Sequence, residues 1–396
     1  MTSGASIEAL LRVGFALAVL ALAGCTAAPA GRQPPNDVTS RAAVREPADG
    51  SASPAEAGQP VRADPTPSAP ATPPATFTAT PSVSPTQSAD PRPPVRIAFI
   101  GDVHGQPPIA GVLAGGDNPL EDVAALLAEA DVTVANLETA VGSSGAAADK
   151  DFTFQAAPAL VDALAAAGVD VVSVANNHAL DFGRDALAET SALASAAGLQ
   201  IIGAGPDSAH AYAPAVIDIG GRRVAFLGFT RVLPEAHWAA GPSSPGMASA
   251  YDIATAAAAV RAAAQHADHV LVTVHWGQER NPCPVGHQLE LTTALIEAGA
   301  QVIAGHHPHV LQGVEQRGGA LIAYSLGNFL FYAGPGEGRT TGVLTVTLDD
   351  AGVSDWVFSP VQIDDRGSPV PLAGAEADRV LETLAERSPG GACRFD

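Results

Sequence analysis

Short apolar runs alternate with longer stretches of helical periodicity from Val95 onward. The β-branched runs predict strands at Val95–Gly101, Val132–Leu137, Val169–Ala175, Gln200–Gly203, Val216–Ile219, Val224–Phe229, His269–His275, Gln301–Ala304, Leu321–Ser325 and Gly342–Leu348. The stretches between them predict helices at Asn118–Glu129, Pro158–Ala167, Arg184–Ala197, Ala254–Ala267 and Gly286–Ala298. This alternation is typical of an α/β domain. The segments from Leu321 to about Val361 favour antiparallel pairing, so we expect mixed β-sheets.

The chain before the first predicted strand lacks this pattern. An apolar stretch at residues 13–23 follows a positive residue and ends in Leu-Ala-Gly-Cys25, which predicts a lipoprotein signal peptide over residues 1–25. An ordinary signal peptide with a chance cysteine is the alternative. Residues 26–94 are rich in Pro, Ala, Ser and Thr and predict a disordered linker. We therefore expect an exported protein, anchored to a bacterial membrane by a lipid on Cys25, whose folded domain at residues 95–396 faces the cell wall or periplasm.

The formal net charge of −21 limits the classes of partner. Nucleic-acid binding needs clustered Lys and Arg, so we expect no nucleic acid partner. An anionic substrate would need a metal ion or a local arginine to offset the repulsion.

Two cysteines remain beyond the predicted linker, Cys283 and Cys393. In an exported protein they could form a disulfide that fixes the C-terminal tail to the segment after His275. Two unpaired thiols are the alternative, because sequence alone gives no distance between them.

Polar side chains stand at or just after the ends of five predicted strands, and six of the eleven histidines are among them. These side chains are Asp102, His104, Glu138, Asn177, His178, His275, His306, His307 and His309. Open α/β sheets bind ligands beyond the carboxyl ends of their strands. Histidine is the commonest metal ligand among side chains. The sequence therefore predicts a transition-metal site on one rim of the sheet.

Several of these residues also have an ordinary structural interpretation. Asp102 could cap a turn, and Glu138 could be a surface glutamate at a strand end. Asn177 is either a carbonyl ligand or a residue in a left-handed turn. His178 is a candidate general acid, and Asp181 either orients it or caps the following helix.

The later segments leave similar alternatives. His275 is either a ligand or a satisfied core histidine at the end of an apolar strand. Arg280 could clamp a phosphate or carboxylate, or pair with Glu279. Asn328 follows Gly327 and could close the site on the substrate side, although a structural turn explains it as well.

Three imidazoles lie within the four residues of His306-His307-Pro308-His309, which is hard to explain without a metal. His307 and His309 are two residues apart, so in an extended chain both would face the same site. His306 would then lie on the other side, as a supporting or substrate-binding group.

The order of these motifs resembles the calcineurin-like metallophosphoesterases, which carry Asp-x-His, an acidic residue, Asn-His, His and Gly-His-x-His. The residues within these motifs are similar to those of the CapA family of bacterial capsule (poly-γ-glutamate) biosynthesis proteins. The segments that carry the resemblance are Asn136-Leu-Glu, Ala175-Asn-Asn-His, His275-Trp-Gly, Gly305-His-His-Pro-His-Val and Tyr324-Ser-Leu-Gly-Asn-Phe. It extends from about Val95 to about Leu348. It departs from the phosphoesterase pattern at Glu138, where Gly-Asp-x-x-Asp is usual, and in the additional histidine at 306–309.

The resemblance implies a metallophosphatase-like four-layer α/β/β/α sandwich with mixed β-sheets, and two divalent metal ions (zinc, manganese or iron). It implies the following ligand sets: Asp102, His104 and His309 for one ion, Asn177, His275 and His307 for the other, and Glu138 between them. It assigns His178 as the acid for a leaving oxygen, and the residues allow Asp181 to orient it.

The resemblance also implies a role in capsule polyglutamate synthesis or export. The chain would be a hydrolase that uses a metal-activated water on a phosphoester or a polyglutamate amide. The alternatives are a non-catalytic partner of polymer-export proteins and a surface lipoprotein that only binds metal.

Overall fold

The structure is a computed structural model that describes residues 92–332 and 336–395. The predicted signal peptide, the predicted lipidation site Cys25 and nearly all of the predicted linker lie outside the described residues. Within the described part of the chain, no helix is long and apolar enough to cross a membrane.

The strands of the described residues, numbered in chain order, are β1 Val95–Val103, β2 Val132–Leu137, β3 Ala140–Val141, β4 Gln155–Ala156, β5 Val171–Ser173, β6 Gln200–Ile202, β7 Ala204–Gly205, β8 Ala215–Ile219, β9 Arg222–Thr230, β10 Gly246–Met247, β11 His269–His275, β12 Val302–His306, β13 Val314–Arg317, β14 Ala320–Ala323, β15 Asn328–Leu330, β16 Thr340–Asp349, β17 Gly352–Ile363 and β18 Pro369–Pro371. The helices are α1 Ile109–Ala114, α2 Glu121–Leu127, α3 Ala159–Ala166, α4 Gly183–Ala196, α5 Ser208–Ala211, α6 Ile253–Ala264, α7 Gly286–Ala298 and α8 Gly374–Arg387. Single 3₁₀ turns lie at Ala236–Trp238 and Glu337–Arg339.

Two mixed β-sheets form the centre of the fold. The first has the strand order β18-β17-β16-β1-β2-β5-β6, and β15 pairs with the distal part of β1. In it β1, β2, β5 and β6 run parallel, whereas β16, β17 and β18 pair antiparallel. The second has the order β13-β14-β12-β11-β9-β8, with a parallel core and an antiparallel strand at each edge.

Successive side chains of each strand point to opposite faces of its sheet, so each sheet packs against the other sheet on one face and against helices on the other. Phe99 of β1 and Leu271 of β11 belong to one core between the two sheets, while their chain neighbours face outward. On the outer side of the first sheet, Ile100 packs with apolar residues of α1 to α4. On the outer side of the second, Val272 packs with residues of α6 and α7, among them Leu291. The domain is therefore an α/β/β/α sandwich, as predicted.

The predicted elements agree well where the apolar pattern is strong. The strands Val132–Leu137 and His269–His275 and the helix Gly286–Ala298 have the predicted bounds. The Gly220-Gly221 pair joins β8 to β9 with both residues at positive φ, as a two-residue hairpin requires.

The antiparallel prediction for the segment after Leu321 is only partly right. It holds for β16 with β17 and for β14 with β13, but β14 also runs parallel to β12, and β15 runs parallel to β1. The β1 partner of β15 lies far away in the chain, so local sequence gives no signal for that pairing.

Cys283 and Cys393 form a disulfide, with their Cα atoms 5.3 Å apart. The bond joins the loop after β11 to the tail after α8. The alternative of two unpaired thiols is therefore wrong for this structure.

Candidate metal centre

The predicted polar side chains meet where the strand ends of the two sheets face each other. Nδ1 of His306, at the end of β12, lies 3.0 Å from Oδ1 of Asp102 in β1. Nε2 of His275, at the end of β11, lies 2.7 Å from Oδ1 of Asn177 and 3.4 Å from Oε1 of Glu138. The strand pattern alone suggested a site on the rim of a single sheet. The structure instead forms the site from strand ends of both sheets.

Two groups of potential metal ligands share the Glu138 carboxylate. One consists of Glu138, His275 and His307, and the other of Asp102, Glu138 and His309. In each group the ligand atoms lie within 4.8 Å of one another. Because Asn177 touches His275, its carbonyl oxygen belongs beside the first group. Apart from His104, the arrangement brings together the residues that the resemblance assigns to two ions.

Two atoms at the shared edge of these groups lack hydrogen-bond partners within residues 92–332 and 336–395. They are Oε1 of Glu138 and Nδ1 of His307, and both are buried. A buried polar atom without a partner costs about 1–3 kcal/mol, so such atoms are rare. Imidazole, carboxylate and amide oxygen together form a donor set suited to divalent transition metals. The residues present therefore fit a divalent cation.

The backbone of the Gly305-to-His309 turn is held in an unusual conformation. His307 has φ = 94° and His309 has φ = 57°, in the left-handed region that non-glycine residues seldom adopt. A Cβ atom on Gly305 would lie 2.0 Å from the carbonyl oxygen of Tyr324, so only glycine allows the close approach of the two strands. Strain of this kind persists where the surroundings determine the conformation, and it clusters at functional sites.

Two asparagines that were not predicted as site residues position the ligand side chains through hydrogen bonds. Nδ2 of Asn136 donates to Oδ1 of Asp102 at 2.9 Å and lies 3.2 Å from Nδ1 of His275. Nδ2 of Asn176 donates in turn to Oδ1 of Asn136 at 3.1 Å. Both asparagines are fully buried. An amide inside or just after an apolar strand was the signal that could have identified them.

His178 is oriented by Asp181, whose Oδ2 lies 2.6 Å from Nδ1 of the ring. Nζ of Lys150 lies 2.7 Å from the other oxygen of this carboxylate and donates to the carbonyl of Asn177 at the same distance. Asp181 does not cap α4, whose N-cap is Phe182. Asn177 is not in the left-handed region, so that alternative is also wrong. Lys150 lies on a loop, and nothing in its local sequence indicated this role.

His104 is not part of either ligand group. Its Nδ1 accepts a hydrogen bond from the backbone of Gln106 at 3.2 Å, and Tyr332 N lies 3.3 Å from its Nε2. The ring packs against Phe331 and Phe154, with centroid distances of 3.8 and 5.1 Å. The structure therefore places His104 beside the centre among aromatic rings, and its predicted role as a ligand stays a prediction.

The three candidate substrate-binding residues have different surroundings. His306 contacts Asp102 and is buried, and Oδ1 of Asn328 lies 2.8 Å from Nδ1 of His309, which it helps to position. Arg280 is exposed at φ = 59°, and its backbone N–H donates to the carbonyl of Pro308. Among the described residues its guanidinium forms no ion pair with Glu279, contrary to the alternative above.

Glu279 was not predicted as a ligand, but it forms a third, more exposed group with His307 and His309. The polar run Gln278-Glu279-Arg280 directly after His275-Trp-Gly was its only sequence signal.

Burial and neighbouring charges separate the acid strengths of the ligands. Burial alone would raise the pKa of Asp102, but hydrogen bonds from His306 and His309 hold that pKa well below its usual range. Burial, together with the Asp102 charge, raises the pKa of Glu138 well above normal. Burial lowers the pKa of His275 strongly, and it lowers the pKa of His307 to about 3. Without a cation, protons therefore balance the buried carboxylates.

A model of the family described as "Bacterial capsule synthesis protein PGA_cap" matches residues 96–333, more than half of the chain. The chain belongs to the PGA_cap family. It is 32% identical to the PGA biosynthesis protein CapA of Bacillus subtilis (strain 168), over 69% of this chain and 73% of that protein. It is 33% identical to the capsule biosynthesis protein CapA of Bacillus anthracis, over 62% of this chain and 60% of that protein.

Another relative of this PGA_cap protein is a probable polyglutamine synthesis accessory protein of Mycobacterium tuberculosis, 33% identical over 50% of this chain and 55% of that one. Among solved structures, the chain is similar to the Thermus thermophilus sulfate thiohydrolase SoxB, with 15% identity, 73% of this chain and 60% of that chain covered, and a TM-score of 0.39. That likeness is distant, and the fold assignment rests on the four layers themselves.

Proposed function

We propose that this PGA_cap protein is an exported, metal-dependent hydrolase whose substrate is a phosphoester or a polyglutamate amide. The observation that carries the proposal is the pair of ligand groups joined at Glu138, with buried, unpartnered atoms on Glu138 and His307. A bound cation would satisfy both atoms.

Zinc, manganese or iron would suit the donors. Asp102 and His309 would hold one ion, Asn177, His275 and His307 a second, and Glu138 would contact both. Such ions supply Lewis-acid activation of a water and stabilise charge on the reacting group. The chain's contribution is to fix these ligands through Asn136, Asn176 and the strained turn at His307 and His309.

His178 would move the proton to the leaving atom. Its Nδ1 faces Asp181, which leaves Nε2 as the ring nitrogen that can exchange a proton with the substrate. Burial lowers the pKa of His178, and the hydrogen bond to Asp181 opposes that shift.

Family membership supports a glutamate polymer as the substrate class, because the relatives named above are a PGA biosynthesis protein, a capsule biosynthesis protein and a probable polyglutamine synthesis accessory protein. A phosphoester remains the other class, since a centre of this kind can activate either bond. A non-catalytic partner in polymer export is the competing proposal.

Metal content of the purified full-length chain, measured by elemental mass spectrometry, tests the proposal. We expect about two transition-metal ions per chain, and loss of both in the double variant His307→Ala/His309→Ala. As a matched control, His266→Ala changes an exposed histidine on the surface of the second sheet's helical layer and should keep the wild-type content. A chain that binds no metal after incubation with zinc, manganese and iron would favour the export-partner proposal.

Export and lipid anchoring at Cys25 are part of the proposal. The Cys283–Cys393 disulfide supports export, because disulfides persist mainly in oxidising compartments outside the cytoplasm. We expect Cys25→Ser to move the protein from the membrane fraction to the soluble fraction, because a lipidated cysteine would be its anchor. Unchanged membrane association of the variant would contradict the anchor.

A further inference from the structure

Arg231 lies next to the candidate metal centre but takes no part in it. It directly follows β9, whose last residue, Thr230, is the register partner of His275. The backbone N–H of Arg231 donates to the carbonyl of His275 at 2.8 Å. The Arg231 backbone is thus one strand spacing, about 5 Å, from that of a candidate metal ligand at the same edge of the sheet.

The Arg231 guanidinium is largely buried and incompletely paired. Its side chain is 16% exposed, and Nη1 is buried without a hydrogen-bond partner among the described residues. The nearest carboxylate oxygen, on Glu290, is 3.9 Å away and belongs to a side chain that is 66% exposed. Arginine stays charged at any physiological pH, so a buried donor without a partner is costly. This donor has the properties of one that an external anion would satisfy.

Two ring side chains, Tyr251 and His287, lie close to the partly exposed Arg231 side chain. The ring centroid of Tyr251 lies 5.7 Å from Cζ of Arg231, and Tyr251 is an exposed aromatic. His287 is close enough that burial and the Arg231 charge together lower its pKa, and its Nε2 accepts a hydrogen bond from the backbone of Gly277, two residues after His275. His287 therefore lies between Arg231 and Gly277, in the segment that follows the candidate ligand His275.

We propose that Arg231 binds an oxyanion of the substrate, a carboxylate or phosphoryl oxygen, while the scissile bond lies at the metal centre. The proposal rests on the proposed function and adds a subsite to it. A guanidinium binds two oxygens of such a group in a fork, which gives direction as well as charge. In a chain of net charge −21, a local cation is needed to hold an anionic substrate. Polyglutamate has a free carboxylate on every residue, so a chain lying across the centre presents one to Arg231, and we favour this source.

Binding to the metal-stripped, full-length chain tests this subsite without relying on activity. The probes are a γ-linked glutamate oligomer and inorganic phosphate, titrated calorimetrically into wild type, Arg231→Gln and Arg231→Lys. Arg261→Gln is the matched control, an exposed arginine on α6. We expect Arg231→Gln to weaken oligomer binding by about ten- to hundredfold, because a charge-assisted bond is lost. The affinity of Arg231→Lys for the oligomer should lie between those of wild type and Arg231→Gln, and the affinity of Arg261→Gln should equal that of wild type.

The two probes distinguish the source of the anion. A loss in Arg231→Gln that is seen with the oligomer identifies a carboxylate subsite, and a loss seen only with phosphate identifies a phosphoryl subsite. The proposal is overturned if Arg231→Gln binds both probes as wild type does, or if wild type binds neither.

The proposed function has a separate test, the metal content of the wild-type chain. Absence of metal there would contradict the proposed function. Metal content of Arg231→Gln should equal that of wild type, since its backbone contact to His275 is unchanged.

Discussion

His307 and His309 lie on either side of Pro308, share a left-handed backbone and face the same centre, yet their imidazoles behave in opposite ways. Burial, reinforced by the charge of His309, lowers the pKa of His307 to about 3. Burial acts on His309 in the same direction, but the charge of Glu138 and a hydrogen bond to Asp102 outweigh it and raise the pKa of His309 to about 9. Within one buried centre, the nearest carboxylate therefore decides which imidazole holds a proton.

The centre has two halves, Asp102–His309 and His275–His307, and they differ in how their charge is balanced. The Asp102–His309 half balances its own charge, because the two groups lie 3.2 Å apart and form an ion pair when His309 is protonated. The His275–His307 half has neutral rings and an unpartnered Nδ1 on His307. We expect the first half to exchange a proton for a cation, and the second to bind a cation without competition from protons on its histidines.

Asp102→Asn should give the largest difference between the halves. It removes the charge that holds His309, so affinity at the Asp102–His309 half should fall by more than the ten- to hundredfold typical of losing an outer partner. The His275–His307 half should keep its ion, because Asp102 is not in its ligand group. Metal titration followed by elemental analysis should therefore show one ion per chain where wild type shows two.

The control for this change is Asp185→Asn, an exposed carboxylate at the start of α4. It should leave both ions in place. Equal loss at both halves in Asp102→Asn would contradict the separation described here.

The pH dependence of metal binding should be the next largest effect. His309, with a pKa raised to about 9, is protonated at neutral pH, and a cation must displace that proton. Affinity should therefore rise with pH up to about 9, by roughly tenfold per pH unit for each proton displaced. Glu138, whose pKa burial raises, adds to the same trend, whereas His307 adds nothing above about pH 4.

Calorimetry in two buffers with different ionisation heats measures the number of protons released. At least one proton should leave per chain at pH 7. No release, or an affinity that stays constant between pH 6.5 and 8.5, would show that His309 is not the proton-holding ligand.

Asn328→Ala should have the smallest effect of the three. It removes the hydrogen bond to Nδ1 of His309 but no ligand atom, so affinity should fall by about tenfold, at the Asp102–His309 half only. Competition with a chelator of known affinity measures the change. Asn281→Ala is the comparison, because its amide holds the loop at Cys283 and contacts no ligand. An equal decrease in both variants would mean that Asn328 acts on general stability.

The sequence predicts much of the centre because parallel strands bring their carboxyl ends together. Asp102, Glu138, Asn177 and His275 all end apolar runs, and each lies at the centre in the structure. The surroundings of His104 could not be predicted in this way. Its ring lies against Phe154 and Phe331, whose approach depends on tertiary packing that no local pattern encodes.

Helix α8 was missed for a different reason than the loop contacts. Its buried residues Val380 and Leu384 lie four positions apart on one face, an amphipathic pattern that does predict a helix. Lys150 reaches Asp181 from a loop 31 residues away in the chain. Such contacts follow from the path of the chain between strands, and spacing in the sequence does not reveal them.

The Cys283–Cys393 bond closes a covalent ring around the last part of the domain, because its two sulfurs are 110 residues apart. That ring contains His307, His309 and Asn328. A protease that cut the backbone anywhere inside it would leave both fragments attached, and only reduction would release them. For a protein that we propose to be exported, the ligands carried by this ring, His307 and His309, would thus stay tethered to the rest of the molecule after a single cut in the backbone.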